Sequence, residues 1–127
     1  METSRITSDS PYEEQFGFSR AVRFNGRVLV SGTAPIWPDG EVDPDPATQT
    51  RRCFEIIGRA LEGLGASFTD VVRTRMYLTD PADADAVGAV HGEIFRENRP
   101  ASSMLFVAAL VDARWKVEIE AEAVLAR

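Results

Sequence analysis

The chain offers few side chains with obvious chemistry, and their spacing excludes several mechanisms at once. There is a single histidine, His91, and a single cysteine, Cys53. His91 has no Ser or Asp partner in a triad-like context, so it reads as a structural or solvated residue. One His and one Cys without ligand spacing cannot build a usual metal site. Cys53 falls on an apolar helical face and reads as a small buried hydrophobe. No phosphate-cradling glycine loop is present. The acidic run is more informative. Glu118, Glu120 and Glu122 alternate with Val117, Ile119, Ala121 and Ala123. Carboxylates on one strand face repel unless they are solvated or paired. Arg73 and Arg75, on an earlier strand, can supply the pairing. Ser102 and Ser103 can bind a polar ligand or cap local backbone at a strand entry. Trp37, in a proline-rich loop, can close a cleft or anchor the loop.

The elements that must position these groups follow from periodicity. Ala21–Phe24 and Arg27–Gly32 flank Asn25-Gly26, a hairpin signal because both turn positions tolerate positive φ. Residues 33–46 carry Pro35, Pro38, Pro44 and Pro46 and form a loop. Asp45 can cap a helix with Pro46 in its first position. Cys53, Ile57, Ala60, Leu61 and Leu64 share one face of that helix, and Gly65 ends it. Residues 71–79 alternate, with Val72, Thr74, Met76 and Leu78 on one side and Val71, Arg73, Arg75 and Tyr77 on the other. Asp80-Pro81 opens a second helix whose apolar face holds Val87, Val90, His91, Ile94 and Phe95. Two further strands follow, near 103–108 and 115–124. The order is β-β-α-β-α-β-β. It predicts an α+β fold with one mixed sheet and both helices on one face. If the other face is apolar, another chain must cover it.

The chain has 127 residues, which fits one domain, with about 1–15 as a flexible lead-in. The net charge of -6 argues against a nucleic-acid partner, whose grip rests on Lys and Arg. No apolar run approaches a membrane span, and no signal-like core precedes the first strand. These features predict a cytoplasmic protein without a membrane partner.

Seven stretches then carry a family likeness. They are Val30-Ser31-Gly32-Thr33, Asp39-Gly40-Glu41-Val42, Leu64-Gly65-Ala66-Ser67 and Asp70-Val71-Val72-Arg73-Thr74, with the hairpin, Phe95-Arg96-Glu97-Asn98-Arg99-Pro100-Ala101 and Val117-Glu118-Ile119-Glu120-Ala121. In chain order, from about Phe18 to Val124, they resemble RidA/YjgF proteins, the reactive-intermediate deaminases formerly labelled endoribonuclease L-PSP. The resemblance implies a chorismate-mutase-like fold. It implies a homotrimer whose sheets pack into a central barrel, with small-molecule clefts between subunits. It implies cofactor-free and metal-free hydrolysis of imines or enamines to a carbonyl product and ammonia. Glu118 then orients the attacking water, and Ser31, Gly32, Ser102, Phe18 and Met104 line the site.

The chain also departs from that family's pattern. Ser102 stands where RidA enzymes carry the arginine that clamps the substrate carboxylate. Phe18 stands in place of a tyrosine, Gly88 of an asparagine and Met104 of a cysteine. The chain therefore resembles an arginine-lacking branch. Arg20 or Arg75 can take over the clamp, or form surface or interface ion pairs instead. The alternative function is a non-catalytic trimer that binds a metabolite or a partner. RNA cleavage, suggested by the older label alone, lacks a basic aromatic surface to support it.

Overall fold

The computed structural model describes residues 2–126, and one sheet organises all of them. Six strands lie in the order β1-β2-β3-β6-β4-β5. In chain order they are β1 (Thr3–Ile6), β2 (Ala21–Phe24), β3 (Arg27–Thr33), β4 (Val71–Leu78), β5 (Ala101–Phe106) and β6 (Val117–Val124). The helices are α1 (Pro11–Phe16), α2 (Pro46–Gly63) and α3 (Ala84–Phe95). Only β4 and β5 run parallel, joined by α3; every other pair is antiparallel. The α+β mixed sheet is as expected, with α2 packed on α3 and on the central strands β3 and β6.

The expected order lacked two elements. Residues 3–6 add an edge strand to β2, and residues 11–16 form a short helix. The stretch expected as a flexible lead-in thus carries a strand and a helix; Met1 lies outside the described residues. The order comes from a buried polar knot rather than from local propensity. Glu13 is 5% exposed and accepts from Ser8 N at 3.0 Å and from Arg20 Nε at 3.2 Å. Ile6 packs against Gly63 so closely that a Cβ there would overlap its methyl carbon.

Local signals explain the other elements. Asp45 accepts from Thr48 N at 2.9 Å and caps α2, whose first residue is Pro46. Cys53, Ile57, Ala60, Leu61 and Leu64 are all buried, and Gly65 takes φ 85° just past the helix. In the β2–β3 hairpin only Asn25 adopts positive φ, at 54°. Gly26 is required instead for space, because a Cβ would sit 2.8 Å from Leu125 O. On β4 the expected inward Val72 is exposed and Val71 is buried. A register shift between Val71 and Arg73 reverses the alternation there.

The strand β6 alternates as read: Val117, Ile119, Ala121 and Ala123 are buried under the helices. Its opposite side is a charged ladder rather than an apolar face. Arg75 Nη1 lies 3.2 Å from Glu120 and 3.6 Å from Glu122, and Arg27 lies 3.1 Å from Glu122. Tyr77 Oη donates to Glu120 at 2.7 Å. No helix among the described residues is long and apolar enough to cross a membrane.

Candidate functional site

Of the three carboxylates on β6, Glu118 alone has no hydrogen bond or ion pair among the described residues. Glu120 and Glu122 are held by arginines; Glu118 lies beside Gly32 of β3 instead. A Cβ at position 32 would overlap Glu118 Oε2. Gly32 is therefore a spatial requirement: the carboxylate occupies the room a side chain would take. Burial pushes the Glu118 carboxyl above its usual range; the Arg20 charge opposes this and Glu120 adds to it. A carboxylate raised in this way holds or releases a proton nearer to neutral pH.

Glu118 and Gly32 line a cleft of about 360 Å³. Phe18, Arg20, Trp37 and Trp115 line it too, as does the segment from Ile6 to Ser10. Trp115 is buried edge-on to the Tyr12 ring at 5.7 Å, and its indole N–H finds no oxygen or nitrogen partner among the described residues. The cleft thus depends on the N-terminal segment that composition alone suggested was loose.

Three arginines border the cleft, and among the described residues only one lacks a hydrogen-bond or ion-pair partner. Arg20 is 3% exposed. Beyond its pairing with Glu13, its Nη1 donates to Gly32 O at 2.6 Å and Thr33 Oγ1 at 3.0 Å. It fixes the glycine backbone against which Glu118 rests, and it lies 5.5 Å from the Phe18 ring centroid. Arg52 donates to Ile36 O at 2.7 Å and stacks on Trp37 at 4.0 Å. Trp37 is thereby both anchored and half-open to the cleft. Arg59, two turns along α2 from Arg52 on the same helical face, has no ion pair among the described residues and lines the same cleft. Sequence reasoning missed Arg52 and Arg59. Their signal was the i, i+4, i+7 spacing of Arg52, Ile56 and Arg59, which marks a second face of α2 beside the apolar one.

The remaining expected site residues lie elsewhere. Ser31 donates its hydroxyl to Ser19 O at 2.7 Å and does not line the cleft. Arg75 is committed to Glu120 and Glu122 on the open sheet face. Ser102 and Met104 sit on β5, opposite Thr74 and Met76 of β4, and do not line the cleft of their own chain. They fall on the helix-covered side of the sheet, because Thr74 and Met76 are buried there. Glu118 pairs with Tyr77 on the opposite side. One chain therefore carries two separate groups: Phe18, Gly32 and Glu118 around the cleft, and Ser102 with Met104 on β5. His91 is not isolated. Its ring packs on Phe95 at 4.6 Å, and its Nε2 lies 2.8 Å from Thr74 Oγ1. Burial pushes its imidazole below the usual range.

Fold and cleft together define the class: an α+β protein with a mixed sheet, two helices on one face and a glycine-backed carboxylate in a cleft. Comparison with known proteins gives the lineage. The family profile described as Endoribonuclease L-PSP matches residues 8–125. The chain belongs to this family, which includes the RidA and YjgF proteins. An uncharacterized protein of Streptomyces coelicolor is 41% identical over 122 residues, spanning 94% of this chain and 90% of that protein. The 2-iminobutanoate/2-iminopropanoate deaminase of Homo sapiens is 30% identical, over 84% of this chain and 79% of that protein. A YjgF/YER057c/UK114 family member from Mycobacterium tuberculosis superposes with a TM-score of 0.90 at 40% identity, covering 98% of this chain and 100% of that one.

Proposed function

We propose that this protein hydrolyses a small imine or enamine to a carbonyl product and ammonia, with Glu118 as the group that handles the water proton. The observation that carries the reading is a partly buried, unpaired carboxylate with a raised pKa, seated on Gly32 in a cleft of ligand size. Relatives named for the deamination of 2-iminobutanoate, 2-iminopropanoate and 3-aminoacrylate support the reaction class.

The chemistry needs little more. An enamine is first protonated on carbon to its iminium ion, the protonated form of the imine. The Glu118 carboxylate accepts one proton of the water as its oxygen bonds to the iminium carbon and the C=N pair returns to nitrogen, giving a neutral carbinolamine. That proton then passes to the amino nitrogen; the C–N bond breaks to release ammonia as the carbonyl forms, and the hydroxyl proton returns to Glu118 and from there to solvent. One group serves as base and then acid, which suits a pKa raised toward the working pH. No cofactor or metal is needed for these steps.

The working unit of this proposal is a homotrimer with clefts between subunits. Two features support it. The Glu118 group and the Ser102 group cannot meet within one chain. Leu105 and Phe106 of the edge strand β5 are 43% and 51% exposed, and Phe16 and Val111 near the cleft are 60% and 70% exposed. A second copy that brings β5 to the cleft would cover such side chains and unite the two groups.

The test is ammonia release from imines made in place by a pyridoxal-phosphate lyase, with Glu118→Ala and Glu118→Gln as controls. Turnover should fall by about 10²–10⁴-fold in both variants. Light scattering should give three times the mass of one chain. No turnover above background across 2-iminopropanoate, 2-iminobutanoate and 3-aminoacrylate would overturn the catalytic reading. Ser102, Phe18, Gly88 and Met104 favour a second reading, a trimer that binds a metabolite without turning it over. That reading predicts thermal stabilisation by a carbonyl acid and no ammonia.

A further inference from the structure

Ser102 does not cap local backbone, as a strand-entry hydroxyl commonly does. Its side-chain oxygen has one hydrogen-bond partner among the described residues, the Thr74 hydroxyl at 2.8 Å. Thr74 is fully buried on β4 and sits opposite Ser102 across the parallel β4–β5 pair. The geometry makes Thr74 the donor in that bond. On the other side of Thr74, His91 Nε2 lies 2.8 Å from the same hydroxyl oxygen.

A threonine hydroxyl has one hydrogen to give. Thr74 gives it to Ser102, so the contact with His91 must run the other way, from Nε2–H to the Thr74 oxygen. The imidazole is wedged between Phe95 at 4.6 Å and Phe54 at 5.9 Å, which fixes the direction of Nε2. Burial keeps the ring neutral, so the proton on Nε2 leaves Nδ1 bare. Donation therefore runs one way, from imidazole to threonine to serine. Ser102, with its acceptor side engaged, keeps its own hydrogen, and no acceptor among the described residues takes it. Ser102 is exposed, so that hydrogen is presented outward.

We infer that Ser102 is a ligand-facing hydrogen-bond donor polarised from behind by His91 through Thr74, and that it recognises an acceptor oxygen of a carboxylate or carbonyl. His91 and Thr74 are positioning residues; neither faces the ligand. Each donor in such a chain strengthens the next. The ligand half of the inference rests on the functional reading above, whereas the direction of the chain does not.

His91 is the only histidine, so its ring nitrogens can be read without assignment in a long-range ¹H–¹⁵N spectrum of the whole protein. The wild type should show the neutral Nε2–H tautomer near neutral pH, and Thr74→Val should erode that preference. Binding of 2-oxobutanoate, the carbonyl product of 2-iminobutanoate hydrolysis, supplies the second readout. Ser102→Ala, Thr74→Val and His91→Phe should each weaken it by about 3- to 10-fold, the size of one neutral hydrogen bond. His91→Gln, which retains an N–H near Nε2, should recover most of the loss. In the Ser102→Ala background, Thr74→Val should cost nothing further, which separates the effect from any loss of folding. An Nδ1–H tautomer overturns the inference. So does a Thr74→Val protein that binds as wild type while Ser102→Ala does not, an outcome that leaves the functional reading intact. If wild-type protein fails to bind 2-oxobutanoate, the ligand half falls; the ammonia assay then decides the functional reading by itself, and the tautomer decides the direction of the chain.

Discussion

Replacing Glu118 by Gln should make the protein more stable, and only above the ordinary carboxylate range. The carboxylate is partly buried, has no hydrogen-bond donor or ion-pair partner among the described residues, and is pushed up first by burial and then by Glu120, against the pull of Arg20. Its folded pKa lies above the ordinary value of 4.5. Between those two values the folded state binds more protons than the unfolded state, so stability falls as pH rises through that window. The full penalty applies above it, and none applies below 4.5. Glutamine imitates the protonated form in shape and charge. Solvent screens part of the effect, so relief of about 0.5–1 kcal/mol is the reasonable scale. In a domain of this size that is a rise in Tm of about 2–4 °C. The assay is thermal unfolding followed by circular dichroism, wild type against Glu118→Gln, from acid pH to about pH 8. The two curves should coincide at acid pH and separate as pH rises, with the variant higher, while imine turnover is lost. A variant less stable than wild type at neutral pH would show that Glu118 is a working partner of Arg20. A difference that does not change with pH would refute the raised pKa. Either result removes the physical basis for assigning the proton to this residue.

Other substitutions test the supports of the site. Gly32→Ala should keep the fold, because the group it strikes is the far end of the flexible Glu118 side chain; turnover should fall toward that of Glu118→Ala, and equal activity in the two glycine-site proteins would show that the carboxylate does not need its place on Gly32. Arg20→Met should cost about 3–5 kcal/mol in chemical denaturation, since it strands the buried Glu13; adding Glu13→Gln should recover part of that loss, and a mild single-variant effect would mean the polar knot does not hold the N-terminal segment. Cys53 is fully buried and its thiol is pushed up by burial, so a thiol reagent should label it only on unfolding; rapid labelling of native protein would place it outside the core.

The helices and the last strand were legible because their signals are local. Asp45-Pro46 and Gly65 bound α2, and strict alternation from Trp115 to Ala123 gives β6 one buried face. The N-terminal segment was not legible, because its order depends on partners far along the chain. Ser8 and Glu13 look like ordinary solvated residues until Arg20 and the Gly32 carbonyl close the knot around them. Val72 failed for a related reason: a one-residue irregularity against β6 reverses a strand's faces, and no composition signal marks it. Within the site, Glu118 and Gly32 could be picked out from motifs, and Glu120 and Glu122 were paired by arginines as strand repulsion required. The departure at Ser102 was visible in sequence, yet its consequence was not, since the buried threonine that receives His91 lies on another strand.

The absence of an arginine at position 102 changes what the two halves of the proposed site must do. A bidentate arginine supplies charge and direction together. Here those functions separate. Direction falls to the Ser102 hydroxyl, whose neighbours leave it only one hydrogen to offer. Charge falls to the cleft, where Arg20 and Arg52 already spend donors on Gly32 O and Ile36 O and, among the described residues, only Arg59 has no partner. A single exposed arginine contributes little net energy in water. A ligand that is only weakly anionic, with a carbonyl or amide oxygen for Ser102, loses less from that arrangement than a small carboxylate does. On this ground an imine panel should include uncharged or larger acyl substrates, and Arg59→Gln should weaken the binding of anionic members of the panel while sparing the neutral ones. Equal losses for both kinds would show that charge plays no part in recognition at this cleft.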